Sequence, residues 1–421
     1  MSKKLIVILA AILIFCAAAG MFLFNLLNRT TASPVISEGD NVKKWTADLK
    51  YVKRELPALH KNLFFYLSKD EFDNEMDHLL SQVDGLSDME IRAGLARIVN
   101  SVRDSHTGVN IRGDLLYPFS FFEFEDGIYL INTTEENKEL WGKKLVAVNG
   151  YDIDTLREKL KPYISQDNQA ISKSQFCSML TSLNALEMSG VATEEAVSFS
   201  FEGRELTVNP LNIKSADNIR FISDDKEFRA LYPLPRQKDD IYWYQYDEKT
   251  GIVYVKYNSC SNMKDYPFSE FTKDVFKTVD SKKAKALVVD LRDNGGGNSM
   301  IFNPFISEIK KRSALNNKDS LYVIIGRRTF SSAILNAMDL KQKTNATLIG
   351  EPTGGRPNHF GEVKVLHLSN VDLDIQYSSN YFKTTDEDTD SLYPDVETSL
   401  KAASYFKGQD DCLNYILYAL K

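Results

Sequence analysis

Two segments of this 421-residue chain carry what an acyl-transfer site requires. The first runs Asp290-Leu-Arg-Asp-Asn-Gly-Gly-Gly297, after an apolar stretch from Ala284. Consecutive glycines admit positive φ and let backbone N–H groups approach a ligand, as an oxyanion hole needs. The second is Arg328-Thr-Phe-Ser-Ser-Ala333, between an apolar strand pattern and an apolar helix pattern. It offers a hydroxyl, Ser331 or Ser332, at the positive end of a helix. Taken singly, the glycines make a turn and the serines cap a helix. A serine nucleophile also needs a base. The chain holds five histidines, and Asp104-Ser-His-Thr107 gives His106 hydroxyl and carboxylate neighbours at a helix exit. His359, in a Gly/Pro-rich loop, is a second candidate, while His60 and His78 read as structural residues on helices. No H-E-x-x-H, G-x-G-x-x-G or P-loop spacing occurs, which argues against a metalloprotease or a phosphate loop, and neither metal nor cofactor is implied. The G-x-S-x-G elbow of ester-cleaving α/β hydrolases is also missing.

The elements that must position these groups alternate along the chain. From Trp45 to Val102 apolar residues recur at helical spacing, with Ser87 and Glu90 forming a capping box for a third helix. Tyr117–Phe124 and Gly127–Asn132 read as strands, and Gly142–Ile153 as a hairpin turning at Asn149-Gly150. Helices are expected over 154–164 and 165–190, then strands over 196–208. From Gly251 the order is strand, helix, strand, helix, strand, helix, strand, which predicts βαβ units on a mostly parallel sheet. The expectation is an α/β (α+β multidomain) protein: a membrane segment at 1–29, a helical domain at 40–112, a β-rich, PDZ-like domain at 113–215 and a catalytic core at 245–421.

Composition narrows the partners. A net charge of −7 with no long basic run argues against nucleic acid. Leu5–Phe24 is apolar throughout if Ala and Gly are counted, about the length that spans a bilayer, and Lys3 and Lys4 precede it. This predicts a single-pass anchor with the remainder outside the cytoplasm; the alternative is a cleaved signal and secretion. Cys177, Cys260 and Cys412 have no disulfide or metal spacing and read as small buried residues.

These segments resemble the S41 serine peptidases, the family of the C-terminal processing proteases and the tricorn core protease. Asp290–Gly297 is similar to the D-L-R-x-N-x-G-G element, Thr329-Phe-Ser-Ser-Ala333 to the T-x-S nucleophile segment, Gly350–Gly355 to G-E-x-T-x-G, and Tyr393–Val396 to a terminal Pro-Asp motif. The hairpin at 142–153 resembles a PDZ-like module. The resemblance implies a peptidase acting on protein or peptide substrates. Ser331 would be the nucleophile, with Ser332 the adjacent alternative, and Gly296 or Gly297 with the N–H after the serine would hold the oxyanion. Asn294 and Arg356 would bind substrate. Where the processing proteases carry a lysine base this chain has Arg356, and arginine does not give up its proton. Ser105-His106 instead resembles the histidine-using tricorn-like branch, which implies an orienting acid among Asp386, Asp388 and Asp390. The missing lysine motivates the alternative of an inactive relative that binds peptide termini or cell-envelope partners.

Overall fold

The computed structural model describes residues 31–36, 39–215 and 219–421. The expected membrane segment lies outside the described residues, and among these no helix is long and apolar enough to cross a membrane. The β-branched run Ala286–Asp290 forms the centre of a six-stranded sheet. Strands Ile252–Tyr257, Ala286–Asp290, Leu321–Ile325, Thr347–Gly350 and Val396–Glu397 are parallel in that order, and Tyr242–Asp247 adds one antiparallel edge. The three middle strands are buried along their whole length, as a parallel sheet covered on both faces requires. Helices Phe268–Lys282, Asn303–Lys310 and Ser332–Lys343 cover one face, and Asp411–Ala419 lies on the other.

Helices Asn41–Leu59, Lys69–Gln82 and Asp88–Asn100 form where the periodicity placed them, the last opened by the Ser87/Glu90 capping box. Between them and the core in sequence comes a four-stranded antiparallel sheet ordered Tyr151–Asp152, Leu145–Val148, Val197–Phe201, Arg204–Val208. Its Asn149-Gly150 turn takes positive φ at both residues (51° and 79°), the hairpin geometry that this dipeptide favours. Cys177, Cys260 and Cys412 are free and buried.

One element departs from the sequence reading. The stretch read as a loop around His359 opens a long antiparallel hairpin, His359–Leu368 with Leu373–Phe382. Leu366, Leu368, Leu373, Ile375 and Tyr377 bury their side chains among the three N-terminal helices. The same hairpin pairs with Gly108–Val109, directly after His106. A strand from the C-terminal third thus joins the helical segment to the core.

The carboxyl ends of the parallel strands carry a buried ion network. Asp290 accepts from Tyr254 at 2.6 Å and from Lys256 at 3.2 Å, and it bonds the Arg292 guanidinium. Arg292 also reaches Asp410, which caps the C-terminal helix through Leu413 N–H at 2.9 Å. Removing one partner of a buried pair strands the other charge. Asp410→Ala should therefore lower unfolding free energy by about 3 kcal/mol in urea titrations, whereas breaking the exposed Lys383–Asp386 pair should leave the midpoint unmoved.

Candidate active site

Ser331 sits where strand Leu321–Ile325 turns into helix Ser332–Lys343. Its φ of 53° and ψ of −127° are rare for a residue with a Cβ, and such strain persists only where the surroundings impose it. They do so here through hydrogen bonds. Thr329, fully buried, donates its hydroxyl to Leu291 C=O at 2.9 Å and accepts from Gly326 N–H, while Phe330 N–H donates to Asn294 C=O at 3.0 Å. Gly296 packs against the turn so closely that a Cβ on it would lie 2.8 Å from the Ser331 Cβ. The glycine run is therefore required by close approach as well as by positive φ (111° at Gly296, 131° at Gly297).

The two serines differ. Ser332 donates its hydroxyl to Gly297 C=O at 2.6 Å and is buried. Ser331 Oγ has no partner among the described residues and is partly exposed. Of the two oxyanion candidates, Gly296 N–H donates to Asn294 Oδ1 at 2.9 Å, so it is spent within the loop. The N–H groups of Gly297 and Ser332 have no partner among the described residues. Asn294 is not a substrate ligand: it is fully buried and also donates to Tyr257 C=O at 3.0 Å, holding the glycine loop to the neighbouring strand.

His106, 8% exposed, stacks its ring on Phe330, the residue before Ser331, with centroids 4.3 Å apart. Its Nε2 is buried and has no hydrogen-bond partner. A buried polar atom left unpaired costs on the order of 1–3 kcal/mol, so the position calls for a function. On the other side of the ring Nδ1 lies 3.7 Å from Asp104 Oδ1. Asp104 also accepts from His106 N–H at 3.0 Å, His60 Nε2 at 3.1 Å, Thr107 Oγ1 at 2.6 Å and Ser378 Oγ at 2.6 Å. Burial raises its pKa, but hydrogen bonds from His106, His60 and Ser378 outweigh it and hold the carboxyl well below the usual range. Asp104 is thus a buried anion beside the imidazole. The acids expected to orient His106 do not do so: Asp386, Asp388 and Asp390 are exposed, Asp386 on Lys383 and Asp390 on Tyr393. Asp104 stands two residues before His106 and was legible as its carboxylate neighbour; the role of His60 had no sequence signal, being set by a contact across 44 positions.

Arg356 is no free carboxylate clamp. Its Nε donates to Asp167 at 2.8 Å, and Asp167 also accepts from Ser105 Oγ at 2.8 Å. Ser105 is further bonded to Ser165, so it braces the turn that carries His106. His359 faces the other side of the His106 ring at 5.6 Å. Its Nδ1 meets the Arg356 and Pro357 carbonyls, which places the proton there. Burial and the neighbouring His106 push its pKa down to about 4. A group neutral through the physiological range and fixed in this tautomer packs against the His106 ring.

Residues 251–313 match the model of peptidase family S41. The matched segment contains the Asp290–Gly297 element. Among solved structures the fold is similar to mature CPAF complexed with lactacystin (TM-score 0.63, 13% identity, covering 90% of this chain and 98% of that one). It is also similar to a second structure of mature CPAF (TM-score 0.60, 13% identity, 89% and 96% covered). The photosystem II D1 C-terminal processing protease also aligns, at a TM-score of 0.43 and 12% identity over 92% of this chain and 98% of that one. No curated protein matches the chain.

His359 binds protons more readily unfolded than folded, so the unfolded state gains protons first on acidification. Stability should fall as pH drops from about 6.5 to about 4, and His359→Gln should flatten that part of the pH–stability curve measured by thermal melting.

Proposed function

We propose that this chain is an active serine peptidase of S41 type, using Ser331 as nucleophile and His106 as base. The observation that carries the reading is the unpaired, buried Nε2 of His106 in a ring stacked on Phe330, the residue before Ser331, whose own hydroxyl is uncommitted. Ser331 Oγ attacks the peptide carbonyl and passes its proton to His106 Nε2. Asp104 stabilises the imidazolium that forms. The N–H groups of Gly297 and Ser332 hold the oxyanion. His106 then protonates the leaving amine, and water releases the acyl group by the same steps. No lysine dyad competes: the lysine position of the family is Arg356, and the buried Lys256 is bound to Asp290 and Asp293.

The apolar run Leu5–Phe24 behind Lys3 and Lys4 supports a single-pass membrane anchor, with the catalytic part facing out of the cytoplasm. Residues 40–112, 113–215 and 245–421 are proposed as helical, PDZ-like and catalytic units. Protein or peptide chains are the substrates.

A fluorophosphonate probe should label the chain, and Ser331→Ala should abolish labelling while Ser332→Ala retains it. Failure of the wild-type chain to label would overturn the peptidase reading. Asp104→Asn should reduce kcat by roughly 10²–10⁴-fold with KM changed much less, measured on any cleaved peptide, because it leaves the imidazolium without its anion.

A further inference from the structure

The cleft beside the reacting groups is unbalanced in charge. A cavity of about 540 Å³ lies between strand Phe119–Phe124, helix Gln169–Met179 and the turn leading to Ser331. A second of about 360 Å³, with His106 in its wall, shares Arg112, Gln175 and Ser178 with the first. The two form one cleft that ends at the proton acceptor.

Six basic residues line the larger cavity, and three are already neutralised. Arg229 pairs with Asp239, Arg236 with Asp293 at 2.9 Å, and Arg327 with Glu351. The lining acids are spent as well, Asp239 on Arg229 and Glu123 on Arg157. Arg112 and Lys173 have no ion pair among the described residues. Arg328, with a side chain 54% exposed, lies 3.9 Å from Asp293, which Lys256 and Arg236 already share. Three uncompensated cations therefore face this cleft in a chain whose net charge is −7. A walled cleft of one sign concentrates ligands of the other. Arg328 stands three residues before Ser331, so the two Cα atoms lie within about 10 Å of each other, a span of about three residues of extended peptide.

We propose that the enzyme selects peptides carrying an Asp or Glu side chain within about three residues of the scissile bond, held by Arg112, Lys173 and Arg328. The inference rests on the peptidase reading above and names its substrate class. A free C-terminal carboxylate offers the same chemistry, and the test separates the two sources.

Cleavage of a peptide library by the full chain, read by mass spectrometry, supplies a cleaved sequence. Matched fluorogenic peptides are then made with Glu or Gln at the acidic position, all amidated at the C-terminus. The Glu:Gln ratio of kcat/KM should be roughly tenfold in the wild type, weaken with added salt, and approach one in the triple variant Arg112→Gln/Lys173→Gln/Arg328→Gln. Should the triple variant not fold, Arg328→Gln alone, at an exposed side chain, should lower the ratio severalfold while Arg328→Lys retains it. Equal rates for Glu and Gln peptides, or a preference that appears only with a free C-terminus, overturns the inference. Fluorophosphonate labelling of the same wild-type sample distinguishes the failures: a labelled enzyme without the preference refutes the specificity alone, and an unlabelled one refutes the peptidase reading and this inference with it.

Discussion

The carboxylate of Asp104 is the point on which the site depends. It lies buried where the N-terminal helices, the turn at 103–107 and the C-terminal hairpin meet, and it accepts from a group on each: His60, Thr107 and Ser378. An ionised carboxylate out of water is tolerated when its oxygens are filled by donors. Filling them requires the three segments to be in register. The pairing of Gly108–Val109 with Ile375–Gln376 supplies that register, and the apolar face of the hairpin supplies the driving force by packing among the helices. The position of the His106 ring against Phe330 follows from these constraints.

A second constraint works from the core side. The Asp290–Asn294 stretch gathers buried charge and amide groups at the ends of the parallel strands, each with a structural partner. Arg292 ties that loop to the C-terminal helix through Asp410, and Asn294 sets the glycine loop on its neighbour strand. Thr329 and Phe330 then hang the Ser331 turn from the same loop. The residues that form the family motif thus hold the backbone under Ser331 instead of touching substrate. The strained φ of Ser331 is the local result of anchoring both sides of a short turn.

The regular elements were legible. Hydrophobic period placed the three N-terminal helices and the parallel strands, and the Asn149-Gly150 dipeptide placed a hairpin. The hairpin 359–382 was not legible. Its first strand begins at His359, just after Arg356-Pro-Asn, and its partner Gly108–Val109 has two residues, too few to show a period. The errors in the site share a cause. The chemistry of Arg356 and Asn294 suits a substrate ligand, yet each is consumed by a neighbour distant in sequence, Asp167 or Tyr257. The acids at 386–390 were chosen by order along the chain, while the carboxylate beside the imidazole was Asp104.

By itself the amino-acid sequence determined the types of reacting group, the strand ends that carry them, and the exclusion of arginine as a base. Those are properties of residue chemistry and of spacing within single elements. Only the tertiary structure decided which serine hydroxyl is unspent, which glycine N–H is free, and which anion faces His106. Each of those depends on whether a hydrogen-bonding group has already found a partner, and the partners come from segments tens to hundreds of positions away that meet through burial of apolar faces.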